Sequence, residues 1–212
     1  MKCYMCDADA TTREHVPPKS FFPKGHRENL VTVPSCVTHN HDQSRDIEYV
    51  RNVIAGSYGT NAQAEQTFEI GKRSFDRSPA LFYQTIGDFE TTVINGEETG
   101  VFKFDLERVK SVMEPIANAI YFKDYGEGYV GKWNVFITSL MSREDLAGQP
   151  NQWQPFRDLL GTLQFVAKPV PQPAIFRYAV CEIPGGVVFE FVFYDAFTSH
   201  CFGPRPDKTT TV

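Results

Sequence analysis

Cys3-Tyr4-Met5-Cys6, then Glu14-His15-Val16-Pro17-Pro18, then Cys36-Val37-Thr38-His39-Asn40: early in a chain of 212 residues, two pairs of soft metal ligands bracket a carboxylate and an imidazole and end on a carboxamide. Two cysteines separated by two residues can aim both thiolates at one ion across a tight turn, and a Cys-x-x-His pair closes a tetrahedral set. The spacing predicts a structural Zn²⁺ held by Cys3, Cys6, Cys36 and His39. Such an ion supplies folding energy to a segment too small for a core of its own. His41 is a rival fourth ligand, but choosing it would uncouple Asn40 from the end of the cage.

The sequence around these ligands predicts a small frame of strands and a helix. Val16-Pro17-Pro18 breaks any helix and holds the chain extended just after His15. Residues 30–33 (Leu-Val-Thr-Val) read as a short strand ended by Pro34. From about His41 onward, Ile47, Val50 and Ile54 recur at spacings of three and four, which is a helical pattern. The predicted order over residues 1–55 is knuckle, extended segment, strand, second knuckle, helix.

Residues 56–59 read as a linker, residues 60–203 as an α+β domain with antiparallel strands, and residues 204–212 as a disordered tail. Helices are predicted over 62–75, over 152–163, and from an Asp105 N-cap that carries Val109, Val112, Met113, Ile116 and Ile120 on one stripe. Pro115 within that stripe predicts a kink or an early end. A strand is predicted over 133–140, one hairpin turns near Asn95-Gly96, and another joins 175–183 to 187–197 through Pro184-Gly185-Gly186. Cys181 and Cys201 read as core thiols, His26 as a loop residue and His200 as a strand end.

The apolar fraction and 14 % aromatic content suit a protein with a real core. No apolar run nears the roughly 20 residues of a membrane span, and Met1-Lys2-Cys3 does not open a signal peptide. A cytoplasmic protein with no membrane partner is expected, where C-x-x-C signals metal or redox chemistry rather than a disulfide. The βαβ context of a redox thiol is missing. A net charge of −5 weighs against a protein that coats nucleic acid, but residues 1–52 hold seven basic and seven acidic residues. Arg13, Lys19, Lys24, Arg27, Arg45 and Arg51 are the local cations that phosphate could meet.

Zinc leaves Glu14, His15 and Asn40 unexplained. Taken singly, Glu14-His15 is an ordinary surface pair and Asn40 a helix cap. Taken with the cage, they fit another chemistry. Cleaving a phosphodiester needs a general base for water and a divalent ion against the developing charge. A carboxylate and a carboxamide offer hard oxygen ligands to that ion, and the adjacent imidazole can take the proton.

Cys3-x-x-Cys6, Glu14-His15-Val16-x-Pro18, Asn29-Leu30-Val31 and Cys36-x-x-His39-Asn40 together resemble the HNH endonuclease family. Its zinc-stabilised ββα-metal module would cover residues 3–49. The resemblance implies that His15 is the general base and that Glu14 and Asn40 hold a catalytic Mg²⁺ or Mn²⁺. It makes Asn29 the brace that keeps His15 oriented, and Cys3, Cys6, Cys36 and His39 the structural zinc site. The chain departs from the family pattern twice, with Glu14 where Asp is usual and His39 where Cys is usual. Ser44 and Glu48, one and two turns beyond Asn40, could also bind the ion, and Glu48 could compensate for the longer reach of Glu14.

The expected function is a metal-dependent endonuclease acting on nucleic acid, DNA rather than RNA. The alternative is a non-catalytic zinc-knuckle module that binds a partner. Residues 60–203 carry no motif. DNA binding, ligand sensing, homodimerisation and contact with a partner protein all stay open for them.

Overall fold

The computed structural model describes residues 1–41, 44–77, 89–94, 96–140, 145 and 153–205, with the backbone alone at 41, 44, 74–76 and 89. It is a mixed structure of helices and antiparallel sheets. A two-stranded ribbon opens it: β1 (Thr12–His15) pairs with β2 (Thr32–Ser35), setting Glu14 opposite Val33 and His15 opposite Thr32. The predicted strand over 30–33 lies further along and includes Pro34 instead of stopping there. Pro34 turns its carbonyl outward to the Tyr4 N–H at 3.0 Å, so its missing donor falls on the side that β1 does not use.

The second knuckle is itself helical. Helix is described over α1 (Val37–His41), upstream of the expected start at His41, and over α2 (Ser44–Ala55). Helix α3 (Ala62–Arg77) follows, with Asn61 Oδ1 accepting from the N–H groups of Gln63 and Ala64 at 3.1 and 3.3 Å. The hairpin of β3 (Phe89–Ile94) and β4 (Glu97–Phe102) turns at Gly96, whose φ of +85° suits glycine; Asn95 lies outside the described residues.

Helix α4 (Leu106–Tyr125) starts as predicted, with the Asp105 carboxylate accepting from Glu107 and Arg108 N–H at 3.0 and 3.2 Å, and it stops at Gly126. Pro115 does not end it. A proline inside a helix costs about 3 kcal/mol. Val109, Val112, Met113, Ile116 and Ile120 are each at most 3 % exposed, and burying such side chains contributes about 1.5–3 kcal/mol apiece. The stripe outweighs the proline.

The second half is a five-stranded antiparallel sheet in the order β5-β9-β8-β7-β6. Its strands are β5 (Asn134–Ile137), β6 (Val166–Lys168), β7 (Phe176–Ile183), β8 (Gly186–Phe193) and β9 (Phe197–Pro204), with α5 (Gln154–Thr162) before β6. Phe189, Phe191 and Phe193 are fully buried on one face. Ser199, paired with Phe191, reaches Met113 of α4 on that same face at 3.5 Å. The predicted strand over 187–197 is two strands, broken by a turn at Tyr194 and Asp195, both at positive φ. His200 is accordingly an interior residue of β9, buried against Glu190 at 3.2 Å and Thr138 at 3.0 Å. Two residues assigned to the tail are ordered parts of the fold: Pro204 completes β9, and the Arg205 guanidinium sits 4.0 Å from the Tyr125 ring centre. Residues 206–212 lie outside the described ones.

One apolar core joins the N-terminal ribbon to this sheet, running from Phe21, Val33, Val50 and Ile54 through the α4 stripe to Phe189 and Phe193. Arg108 fastens α4 to α2. It binds the Asp46 carboxylate at 2.7 Å and the Arg45 carbonyl at 3.1 Å, and it lies 3.9 Å over the Tyr49 ring. Arg108→Ala is expected to lower stability by roughly 1–2 kcal/mol, read as a lower urea midpoint at unchanged m-value.

Candidate metal centre

The first knuckle is fixed by backbone bonds. Cys3 N–H donates to Ala8 O at 2.9 Å, and Tyr4 N–H hangs the turn on β2. Cys36 follows the last residue of β2, and His39 lies in α1. These elements bring three Sγ atoms and one imidazole nitrogen together, all within 4.8 Å of one another. His39 Nδ1 stands 3.3, 3.5 and 3.2 Å from the sulfurs of Cys3, Cys6 and Cys36, and Cys6 Sγ is 3.9 Å from Cys36 Sγ. Ligands about 2.3 Å (sulfur) and 2.0–2.1 Å (nitrogen) from a tetrahedral centre stand roughly 3.5–3.8 Å apart. The cluster could hold a metal such as zinc. None of its cysteines is in a disulfide. Burial opposes a Cys3 thiolate, but the N–H groups of Met5 and Cys36, with the His39 and Cys36 side chains, outweigh it and bring its pKa to about 6.

A cavity of about 160 Å³ adjoins the cluster, and Glu14, His15, His39 and Asn40 all line it. Asn40 does not cap a helix. Its Nδ2 donates to Thr12 Oγ1 at 2.8 Å and to Arg13 O at 3.4 Å, tying α1 to β1, so Oδ1 is the atom left for a cation. Glu14 Oε2 is buried with no hydrogen-bond partner. Burial raises the Glu14 pKa from 4.5 to about 7. An orphaned buried acceptor costs about 1–3 kcal/mol, and more when charged, so a cation held there would offset a real penalty. A carboxylate and a carboxamide oxygen are donor types that a hard divalent ion accepts. Burial, helped by the charge of Lys19, pushes the His15 pKa below its ordinary 6.5, leaving the imidazole neutral and able to accept a proton at pH 7.

The Glu14 shift has a sign that can be checked. Its protonated form favours the fold, so the stabilisation is fully present below pH 4.5 and is lost as pH rises through about 7. In divalent-free buffer, wild type should lose melting temperature relative to Glu14→Gln across that range, because contributions from the cage cancel between them. Mn²⁺ should remove the difference at neutral pH. A gap that does not change with pH contradicts the burial of this carboxylate.

Asn29 sits apart from the cavity. It is exposed at φ +56°, in the left-handed region that asparagine tolerates, and its side chain makes no hydrogen bond among the described residues. Its visible role is the turn into β2. Glu48 pairs with Arg51 at 3.4 Å and does not line the cavity. The side chains of Ser44 and His41 lie outside the described residues. Arg13, Arg27 and Arg51 donate to Thr32, the Phe22 carbonyl and Asn52, and Arg13, Lys19, Lys24 and Arg45 are exposed. What sequence reasoning missed is the opposite wall: Val112, Pro115, Ile116 and Ala119 of α4. An apolar stripe was the only signal, and any core helix carries one.

Comparison of the chain with protein-family models, with curated proteins and with solved structures found no match. Among the described residues, no helix is long and apolar enough to cross a membrane.

Proposed function

We propose that the protein is a metal-dependent endonuclease of the HNH type that hydrolyses phosphodiester bonds in DNA, in the cytoplasm, with a structural zinc in the Cys₃His cluster. The observation that carries this reading is that Glu14, whose carboxylate has one buried oxygen without a partner, lines one small cavity together with His15 and Asn40. Glu14 and Asn40 would hold a single Mg²⁺ or Mn²⁺, and when bound the ion supplies positive charge against the charge that builds on the scissile phosphate. His15 takes a proton from the attacking water, which its lowered pKa allows at neutral pH. Asn40 keeps α1 locked to β1 through Thr12. The cage makes that lock rigid, since His39 is the residue before Asn40. Glu14, one methylene longer than the usual acid, lines the cavity.

Incubating the purified protein with supercoiled plasmid and Mg²⁺ or Mn²⁺ tests the reading. Nicked product is expected in at least one metal, and its absence in all of them sinks the proposal. In that case the cage would belong to a binding module, whose partner would be lost on chelation.

A further inference from the structure

The cavity beside the metal cluster has a second polar group without a partner. Tyr4 lines it together with Glu14, His15 and Asn40. The residue is 2 % exposed. Its backbone N–H is held by Pro34, but its hydroxyl makes no hydrogen bond among the described residues, and burial and neighbouring charges alone act on it. A buried hydroxyl left unbonded is costly, as is an unbonded carboxylate oxygen. The two orphans are opposite in kind: Glu14 Oε2 can only accept from a donor or meet a cation, whereas a phenol carries an O–H at neutral pH. They share one cavity and do not bond each other. Separate elements set them there, the Cys3–Cys6 knuckle for Tyr4 and β1 for Glu14.

An occupant that satisfies both must offer positive charge to Glu14 and a lone pair to Tyr4. A bare cation meets only the first need and a lone anion only the second. A divalent ion together with an oxyanion meets both. The volume of about 160 Å³ is below the roughly 300–1,000 Å³ of ordinary small-molecule pockets, which suits an ion and the oxygens of one phosphate rather than a whole nucleotide. Water bridging the two groups is the competing occupant, and the two are separable by experiment.

We propose that the Tyr4 hydroxyl donates a hydrogen bond to an oxygen of the phosphate that enters this cavity beside Glu14, which makes Tyr4 a further catalytic residue of the site. Tyr4 keeps its proton throughout. Its O–H meets the oxygen on which charge builds as water attacks phosphorus, and such donors act most strongly there. The rate effect rests on the nuclease reading; the phosphate contact does not. The test is Tyr4→Phe in the full zinc-loaded chain, which removes the hydroxyl and keeps the ring. Calorimetry with inorganic phosphate, with and without Mg²⁺, reads the contact, and plasmid nicking reads the cut. Wild type should bind phosphate when Mg²⁺ is present, and Tyr4→Phe about 10–100-fold more weakly, the range for hydrogen bonds to charged groups. The variant's kcat should fall by a similar factor, with zinc content unchanged and no loss of melting temperature in divalent-free buffer, because no bond of the fold is removed. Phosphate binding equal in the two proteins, or absent from wild type, overturns the proposal. So does a melting temperature that falls without Mg²⁺, which would make the hydroxyl structural. Phosphate binding that needs Tyr4, in a protein that nicks no plasmid, would sink the nuclease reading alone; nicking at the full rate in Tyr4→Phe would sink this one alone.

Discussion

Replacing Cys36 with serine, or stripping the metal with a chelator, is expected to unfold the N-terminal ribbon and abolish cleavage in the same step. Cys36 is 8 % exposed and lies 3.2 Å from His39 Nδ1, so losing its thiolate opens the cage between β2 and α1. Structural zinc in small modules contributes about 10–16 kcal/mol at neutral pH. A whole domain is stable by only about 5–15 kcal/mol. The ribbon shares the common core chiefly through Val33, and the bonds from Tyr4 to Pro34 and from Asn40 to Thr12 both depend on knuckles that a metal in the cluster would close. Hydrogen exchange should show β1, β2 and α1 losing protection while β7, β8 and β9 keep theirs. Protection of the ribbon in metal-free protein contradicts the expectation.

How much of this was legible depended on how local the cause was. The ligand quartet could be read because knuckle geometry follows from spacing within four residues, and Glu14 and His15 because they adjoin in the chain. The Asp105 cap was readable for the same reason. The α4 wall was not, since Val112 and Ile116 look the same whether they face a core or a cavity. Tyr194-Asp195 hid the turn between β8 and β9. A turn with φ > 0 at both central residues usually shows as Asn-Gly. Here tertiary contacts hold it: the fully buried Tyr194 hydroxyl donates to the Phe21 carbonyl, and Asp195 accepts from Asn61 at 2.7 Å and pairs with Arg177. Pro115 misled because its local cost is visible and the burial that outweighs it is not.

His15→Ala is expected to reduce cleavage by about 10²–10⁴-fold, the usual contribution of a general base, with zinc content and melting temperature close to wild type. The imidazole makes no hydrogen bond that holds the fold among the described residues, and its partial burial is what lowers its pKa. A base works unprotonated, so at Mn²⁺ high enough to keep Glu14 ionised the wild-type rate should rise with pH and level off below 6.5, and the residual rate of His15→Ala should lack that step. Glu14→Gln should fail differently: it keeps the base and loses the ligand charge, so its defect should ease as Mn²⁺ is raised. The double variant should be little worse than His15→Ala, because groups that act as a unit are not additive. An equal loss with pH dependence intact in His15→Ala would remove His15 from the chemistry.

The central claim is that one chain holds two metals with separate tasks, one to fix the fold and one to cut. The direct measurement is plasmid nicking titrated with Mn²⁺ on protein whose zinc content has been determined by elemental analysis. One retained zinc per chain, no nicking without added divalent ion, and a saturable response to Mn²⁺ that vanishes in His15→Ala is the predicted result. A folded protein free of zinc, or nicking indifferent to added metal and to His15, would contradict it.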